Sequence, residues 1–92
     1  MKATLLQQQK YNYGAGLIEI AIWRVPAPIA PCVHSFKYRL VYIVAGVRVV
    51  GYDNERGKGD HKHVEVLEVG YEFKGIATLL SDFLSEVERR LK

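Results

Sequence analysis

Cysteine is nearly absent from this 92-residue chain, because Cys32 is the only one. A single thiol excludes a disulfide within the chain and fits a reducing cytoplasm. Long apolar runs are missing as well, and none approaches the roughly 20 residues that a membrane-spanning helix needs. Residues 1–10 lack the apolar core of a secretory signal. We therefore expect a cytoplasmic protein that does not bind to membranes.

A strong charge of one sign is also missing, since 13 Lys and Arg are balanced by 10 Asp and Glu, for a formal net charge of +3. Such a small bias does not by itself identify a nucleic-acid-binding protein. The length predicts a single domain over residues 1–92. Within it, residues 1–16 are compatible with a short helix, an edge segment or a loosely ordered arm. A core this small gains stability from association, which makes a homodimer or a complex a reasonable expectation.

Apolar patterning predicts an α+β fold. Residues 17–25 alternate as a strand that the following prolines stop. Residues 61–66 alternate in the same way, and residues 76–91 carry apolar side chains at three- and four-residue steps, as in an amphipathic helix. We expect a twisted antiparallel sheet of about four strands, with the C-terminal helix packed on one face.

The two central strands of this sheet are expected at residues 36–44 and 47–52, joined by a two-residue loop at Ala45-Gly46. With that loop, Val44 faces Val47, and regular pairing places Tyr42 across from Val49 and Tyr38 across from Asp53. The other face of the hairpin then carries cations together with an aromatic residue. Its members are Lys37, Arg39, Arg48 and Tyr52.

Residues 53–63 form the segment richest in chemistry, with two histidines, acids, bases and two glycines in the string DNERGKGDHKH. His61 and His63 are one residue apart, so both rings project from the same face of an extended chain. If Val64 and Val66 are buried, both histidines point outward.

Four segments resemble a known family: IWRVP at residues 22–26, HSFKYRL at 34–40, YDNERGKGDHKH at 52–63 and LLSDF at 79–83. The chain is similar in these segments to the TumE toxins of prokaryotic toxin-antitoxin modules. The resemblance implies a small cytoplasmic toxin that a cognate antitoxin, usually one with a helix-turn-helix domain, binds and neutralises. Family members have a turn rich in Gly and Glu, with Pro, after the second histidine. Residues 64–69 depart from that pattern and predict a longer or kinked strand.

Three functions remain compatible with these residues. The first is a metal-independent ribonuclease with no cofactor, in which His61 and His63 act as general base and general acid on RNA. In this function Asp53 orients a histidine, and Asn54 shapes the site. Phosphate is bound by Lys58, Arg24 and Arg39. RNA is also contacted by Lys37 and Tyr52.

The second function is a metal-dependent hydrolase, in which His61 and His63 bind the ion with a third ligand from Asp53, Asp60 or His34. The third is a non-enzymatic protein that binds its antitoxin and a nucleic-acid or ribosomal target. In that case residues 57–59 are a flexible hairpin tip and the two histidines have no chemical role.

Overall fold

The computed structural model describes residues 3–54 and 57–91, which form one antiparallel sheet and one helix. The strands lie side by side in chain order and are β1 (Thr4–Tyr13), β2 (Gly16–Arg24), β3 (Phe36–Val44), β4 (Val47–Asp53), β5 (His61–Val64) and β6 (Leu67–Gly70). The helix α1 (Ile76–Arg89) follows them. The predicted α+β class is confirmed, whereas the predicted strand number is wrong, since the described residues form six strands rather than about four.

The two additional strands are the edges of the sheet. β1 takes up most of the segment for which the sequence left three alternatives, and it pairs with β2 along its whole length. β6 exists because residues 64–69 fold back at Glu65 and Val66 instead of continuing as one strand. Glu65 has a φ of 57°, a left-handed conformation that residues other than glycine seldom adopt. The sequence therefore carries no conventional signal for this turn.

The hairpin between β3 and β4 has the predicted two-residue loop. Ala45 and Gly46 have φ values of 52° and 78°, and two consecutive positive φ angles are what the tightest hairpin turn requires. Val44 faces Val47, as predicted. The loop length and the first pair of the ladder thus follow directly from the sequence.

Beyond that first part, the predicted register is wrong. β4 contains a bulge at Val49, so Tyr42 faces Val50 instead of Val49. From there on, every residue of β4 is shifted by one position, and Asp53 faces Arg39 rather than Tyr38. A one-residue shift moves side chains to the opposite face of a sheet, so the bulge decides which β4 residues contact α1.

The core lies between one face of the sheet and α1, as predicted. Leu79, Phe83 and Val87 recur every fourth residue of α1 and have no exposed surface. Burial of a side chain such as Phe83 stabilises the fold by about 1.5–3 kcal/mol. The sheet contributes alternating positions of β2, β3 and β4, namely Ile18, Ile20, Ile22, Tyr38, Leu40, Tyr42, Val50 and Tyr52.

The opposite face of the sheet, which we call the open face, is formed by the residues that alternate with these core positions. From β2 to β6 its side chains include those of Leu17, Glu19, Ala21, Trp23, Lys37, Arg39, Val41, Ile43, Arg48, Asp53, His61, His63 and Glu68. In the described part of the chain, no helix has the length and apolar character needed to cross a membrane.

Candidate functional site

Three neighbouring strands bring the chemistry-bearing side chains of the open face together. Arg39, Asp53 and His61 form one row across β3, β4 and β5, because each is the direct partner of the next. In the adjacent row, His63 of β5 is paired with Glu68 of β6. The prediction that both histidines share one face is confirmed, whereas the expected burial of Val66 is wrong, since Val66 lies in the turn between β5 and β6 and is 98% exposed.

His61 is held at both ring nitrogens. Nδ1 lies 2.9 Å from the backbone oxygen of Gly59, and Nε2 lies 2.5 Å from Oδ1 of Asp53. A carbonyl oxygen only accepts hydrogen bonds, so Nδ1 carries a proton. The ring is buried, with 6% of the residue exposed, and its orientation is therefore defined by the backbone of the preceding loop and by β4.

His63 and Glu68 complete the cluster. Oε2 of Glu68 lies 3.4 Å from Nε2 of His61 and 3.3 Å from Nε2 of His63. The two imidazole rings are 5.2 Å apart between centroids and nearly perpendicular, at 75°. Partial burial lowers the pKa of His63 below its ordinary value, and the positive charge of Arg48 contributes in the same direction. His63 is therefore neutral near physiological pH.

Arg48 reaches this site because the neighbouring position in β4 is a glycine. Its side chain crosses Gly51, where an added Cβ would lie 2.9 Å from Cδ of Arg48. Gly51 is the direct partner of His63. The bulge at Val49 places Arg48 and Gly51 on the same face, and the absent side chain leaves room for the guanidinium to lie across the strand.

The loop that precedes β5 is tied to the rest of the molecule. The amide of Gly57 donates to the backbone oxygen of Ala30, and the amide of Tyr71 donates to that of Asp60. The carboxylate of Asp60 accepts hydrogen bonds from the hydroxyl of Tyr38 and from Nε2 of His34, at 2.6 and 2.8 Å. His34, one of the candidate third metal ligands, thus anchors this loop through a hydrogen bond.

Asn54 is buried, with 2% of its surface exposed. Its Oδ1 accepts the amide of Tyr38 at 3.0 Å, and its Nδ2 donates to the backbone oxygen of Phe36 at 2.6 Å. The side chain thus extends the β3 ladder beyond the end of β4. Its contribution to the site is to hold the end of β4 beside β3.

The cations predicted to bind RNA lie in three places. Lys37 and Arg39 are exposed on the open face and line a surface depression of about 260 Å³ together with Asp53. Lys58 lies in the loop, with Nζ 3.5 Å from Oε2 of Glu68, and so it joins the cluster from the side of β6. Arg24, in contrast, follows the alternation of β2 and lies on the same side as Ile22, away from Asp53.

Tyr52 is not on the open face, and its predicted placement beside the cations is wrong. The bulge at Val49 turns its ring towards α1, where it is 1% exposed and meets Phe83 edge-on at 6.0 Å. The aromatic ring on the open face is Trp23 instead, and Nζ of Lys37 lies 5.8 Å from its centroid.

Within residues 3–54 and 57–91, two groups of side chains have the composition and spacing of metal ligands. Asp53, His61 and His63 present donor atoms within 4.8 Å of one another, and so do Cys32, His34 and Asp60. The first group joins both histidines with Asp53, one of three candidates for the third ligand. The sequence did not identify Glu68 as a member of the site. The position of Glu68 depends on the turn at Glu65, which the sequence does not predict.

The family model described as toxin TumE matches residues 3–91, nearly the whole chain. A search of curated proteins and a search of solved structures found no match. The match covers the strands that carry both histidines, Asp53 and the helix that packs behind them. The chain therefore belongs to the TumE family of toxins.

Proposed function

We propose that this TumE family toxin is a ribonuclease that cleaves RNA on the open face of its sheet, with His61 and His63 as the proton-transfer pair. The observation that carries the proposal is the placement of two imidazoles 5.2 Å apart on a face that also presents cations. Two imidazoles that reach one phosphate can remove and supply protons near neutral pH.

His63 is the base in this proposal. Its lowered pKa keeps the ring neutral near physiological pH, and its side chain is 18% exposed, so it can be reached from the open face. The neutral imidazole takes the proton of a ribose 2′-hydroxyl. The resulting oxygen attacks the adjacent phosphorus. The side chain of Arg48 lies over Gly51, the direct partner of His63. Its guanidinium stabilises the negative charge that grows on the phosphoryl oxygens.

His61 is the acid. The proton on Nδ1 is held by the oxygen of Gly59, and Nε2 of the protonated ring faces the carboxylate of Asp53. His61 gives the proton on Nε2 to the 5′-oxygen as the phosphorus–oxygen bond breaks. The products are one fragment with a 2′,3′-cyclic phosphate and one with a free 5′-hydroxyl. Asp53 contacts the same nitrogen and orients the ring until that proton is transferred.

RNA binds across β3 and β4. Lys37 and Arg39 flank the depression next to Asp53 and supply cations for backbone phosphates. Trp23 provides a flat aromatic surface on the same face, on which an unpaired base can stack. This surface suits a single strand, because the sheet is open and a base can lie flat on it.

The proposed partner in the cell is a cognate antitoxin with a helix-turn-helix domain. A toxin that acts on cytoplasmic RNA is neutralised if the antitoxin covers either the cations of β3 or the His61–His63 strand. The open face holds both within three consecutive strands, β3 to β5, so one bound segment can cover them together. An antitoxin complex that left this face uncovered would contradict the proposal.

The experiment is cleavage of a mixed RNA substrate by purified protein in excess chelator. We expect cleavage by the wild type and a loss of roughly 100-fold or more in both His61→Ala and His63→Ala, since each removes one proton-transfer group. The fragments should end in 2′,3′-cyclic phosphates. Circular dichroism and thermal melting establish that each variant is folded.

Two results would overturn the mechanism. One is unchanged cleavage by either folded histidine variant. The other is the absence of cleavage by folded wild type in chelator, which would direct the search to a metal-dependent activity or to a toxin that acts by binding.

A further inference from the structure

The cluster at Asp53 presents an unusual electrostatic arrangement. Oδ1 of Asp53 is buried and accepts no well-formed hydrogen bond from residues 3–54 or 57–91, although Nε2 of His61 lies only 2.5 Å away. Because Nδ1 of His61 donates to Gly59, the neutral ring turns the lone pair of Nε2 towards this oxygen. At this distance a proton fits between the two atoms, whereas a metal ion that binds both requires them to lie further apart.

More than two donor atoms converge on this place. Oε2 of Glu68 lies 3.4 Å from Nε2 of His61 and 3.3 Å from Nε2 of His63. In a tetrahedral site with bonds of about 2.1 Å, ligand atoms are about 3.4 Å apart. A proton bridges only two atoms, whereas a metal ion satisfies all of them together.

The hydrogen bond at the second ring nitrogen of His61 is also typical of a metal ligand. Metal-binding histidines commonly donate their second ring N–H to a carbonyl or a carboxylate, which holds the tautomer and the ring orientation. The oxygen of Gly59 has that position at Nδ1 of His61. Side-chain exposures of 27% for Asp53, 18% for His63 and 41% for Glu68 leave an entry path from the open face.

The second candidate cluster provides a contrast. Nδ1 of His34 accepts the amide of Phe36, so the ring proton is on Nε2, which donates to Asp60. Asp60 also accepts the hydroxyl of Tyr38. These groups satisfy one another with hydrogen bonds, and the lone pair of His34 is already used. We expect no metal binding at Cys32, His34 and Asp60.

We propose that Asp53, His61 and His63 bind a divalent transition-metal ion, with Glu68 as the fourth ligand. Two imidazoles and two carboxylates suit Zn²⁺. A bound ion occupies the Nε2 atoms that the proposed proton transfer needs, so Zn²⁺ inhibits RNA cleavage. This second statement rests on the proposed function, whereas metal binding does not.

The test is a calorimetric titration of chelator-treated, desalted full-length protein with Zn²⁺ alone. We expect one ion per chain and, at a zinc concentration 100-fold above Kd, a melting temperature higher by on the order of 10 °C. Binding should be lost in His63→Ala and weakened at least 10-fold in Glu68→Gln. The variant Cys32→Ser, which changes the second cluster only, should bind as the wild type does.

The outcomes separate the two proposals. Wild type that binds no Zn²⁺, or a folded His63→Ala that binds it unchanged, overturns the metal site. Stoichiometric binding together with inhibited cleavage supports both the site and its inhibitory role. Stoichiometric binding together with cleavage that requires Zn²⁺ supports the site but overturns inhibition and the proton-transfer mechanism. Binding is measured without RNA, so a failure of the ribonuclease proposal leaves this result unaffected.

Discussion

Tyr38 of the core donates a 2.6 Å hydrogen bond to Oδ1 of Asp60, which lies 22 positions later in the chain. Asp60 immediately precedes His61 at the start of β5. The bond therefore joins a residue with 1% exposure to the loop that delivers the first histidine of the site. Through this contact, the packing of the core controls where β5 begins and how its first side chain is placed.

The energetic coupling of Tyr38 and Asp60 can be measured with a double-mutant cycle of Tyr38→Phe and Asp60→Asn. We expect a coupling free energy of about 1–3 kcal/mol, because the phenol donates to a charged acceptor in a partly buried place. Urea unfolding of the two single variants and the double variant gives this value. Tyr11→Phe is the control, since exposed Tyr11 lies on β1 and its effect should add to that of Asp60→Asn. Additivity of Tyr38→Phe and Asp60→Asn would contradict the contact.

Replacement of Asn54 by Ala should reduce the free energy of unfolding by about 2–3 kcal/mol. The amide of Tyr38 and the oxygen of Phe36 both lose their partner, and unsatisfied backbone groups cost about 1–3 kcal/mol each when buried. Asn12→Ala, at an exposed position of β1, should change stability by less than about 0.5 kcal/mol. Equal effects of the two substitutions in urea unfolding would show that Asn54 is not a structural residue.

Arg39 and Arg24 test the placement of the RNA-binding surface. Both are exposed arginines, but Arg39 lies on the open face and Arg24 lies on the other side. In the background of His61→Ala/His63→Ala, which prevents cleavage, Arg39→Ala should reduce the slope of log K against log salt concentration by about 0.7 for single-stranded RNA. Arg24→Ala should leave this slope unchanged. The reverse result in fluorescence anisotropy would place RNA on the helix side.

Leu79 and Leu67 test the assignment of the core. Leu79→Ala should lower the free energy of unfolding by about 2–5 kcal/mol, since this side chain is completely buried against the sheet. Leu67→Ala should cost less than about 1 kcal/mol, because Leu67 is 65% exposed on β6. Urea denaturation at low temperature allows the free energy of unfolding of the less stable variant, Leu79→Ala, to be measured. A larger effect for Leu67 would mean that β6 is covered in solution.

Cys32 should react slowly with thiol reagents in the folded protein. It is 9% exposed, and burial raises the pKa of its thiol above the ordinary value, with the nearby Asp60 adding to the effect. Less thiolate is therefore present at pH 8 than in a free cysteine. We expect labelling by Ellman's reagent to be slow in buffer and complete within minutes in denaturant. Fast labelling of folded protein would show that the segment around Cys32 opens readily.

Much of the fold follows from local sequence patterns. The apolar period of residues 76–91 predicted α1, because helical amphipathicity is a property of neighbouring residues. The Ala45-Gly46 loop and the shared face of His61 and His63 followed from short-range geometry in the same way. Family membership was also visible in short segments, and the match over residues 3–91 confirms it.

The tertiary structure alone decided the composition of the site. The bulge at Val49 and the turn at Glu65 have no clear signal in the local sequence. Each interrupts a regular strand and is stabilised by packing against the rest of the sheet. The bulge moved Tyr52 into the core and placed Asp53 opposite Arg39. The turn brought Glu68 to the two histidines. The sequence thus predicts which residues form a strand. Which residues of the next strand they face depends on the register, and contacts between distant segments set that register.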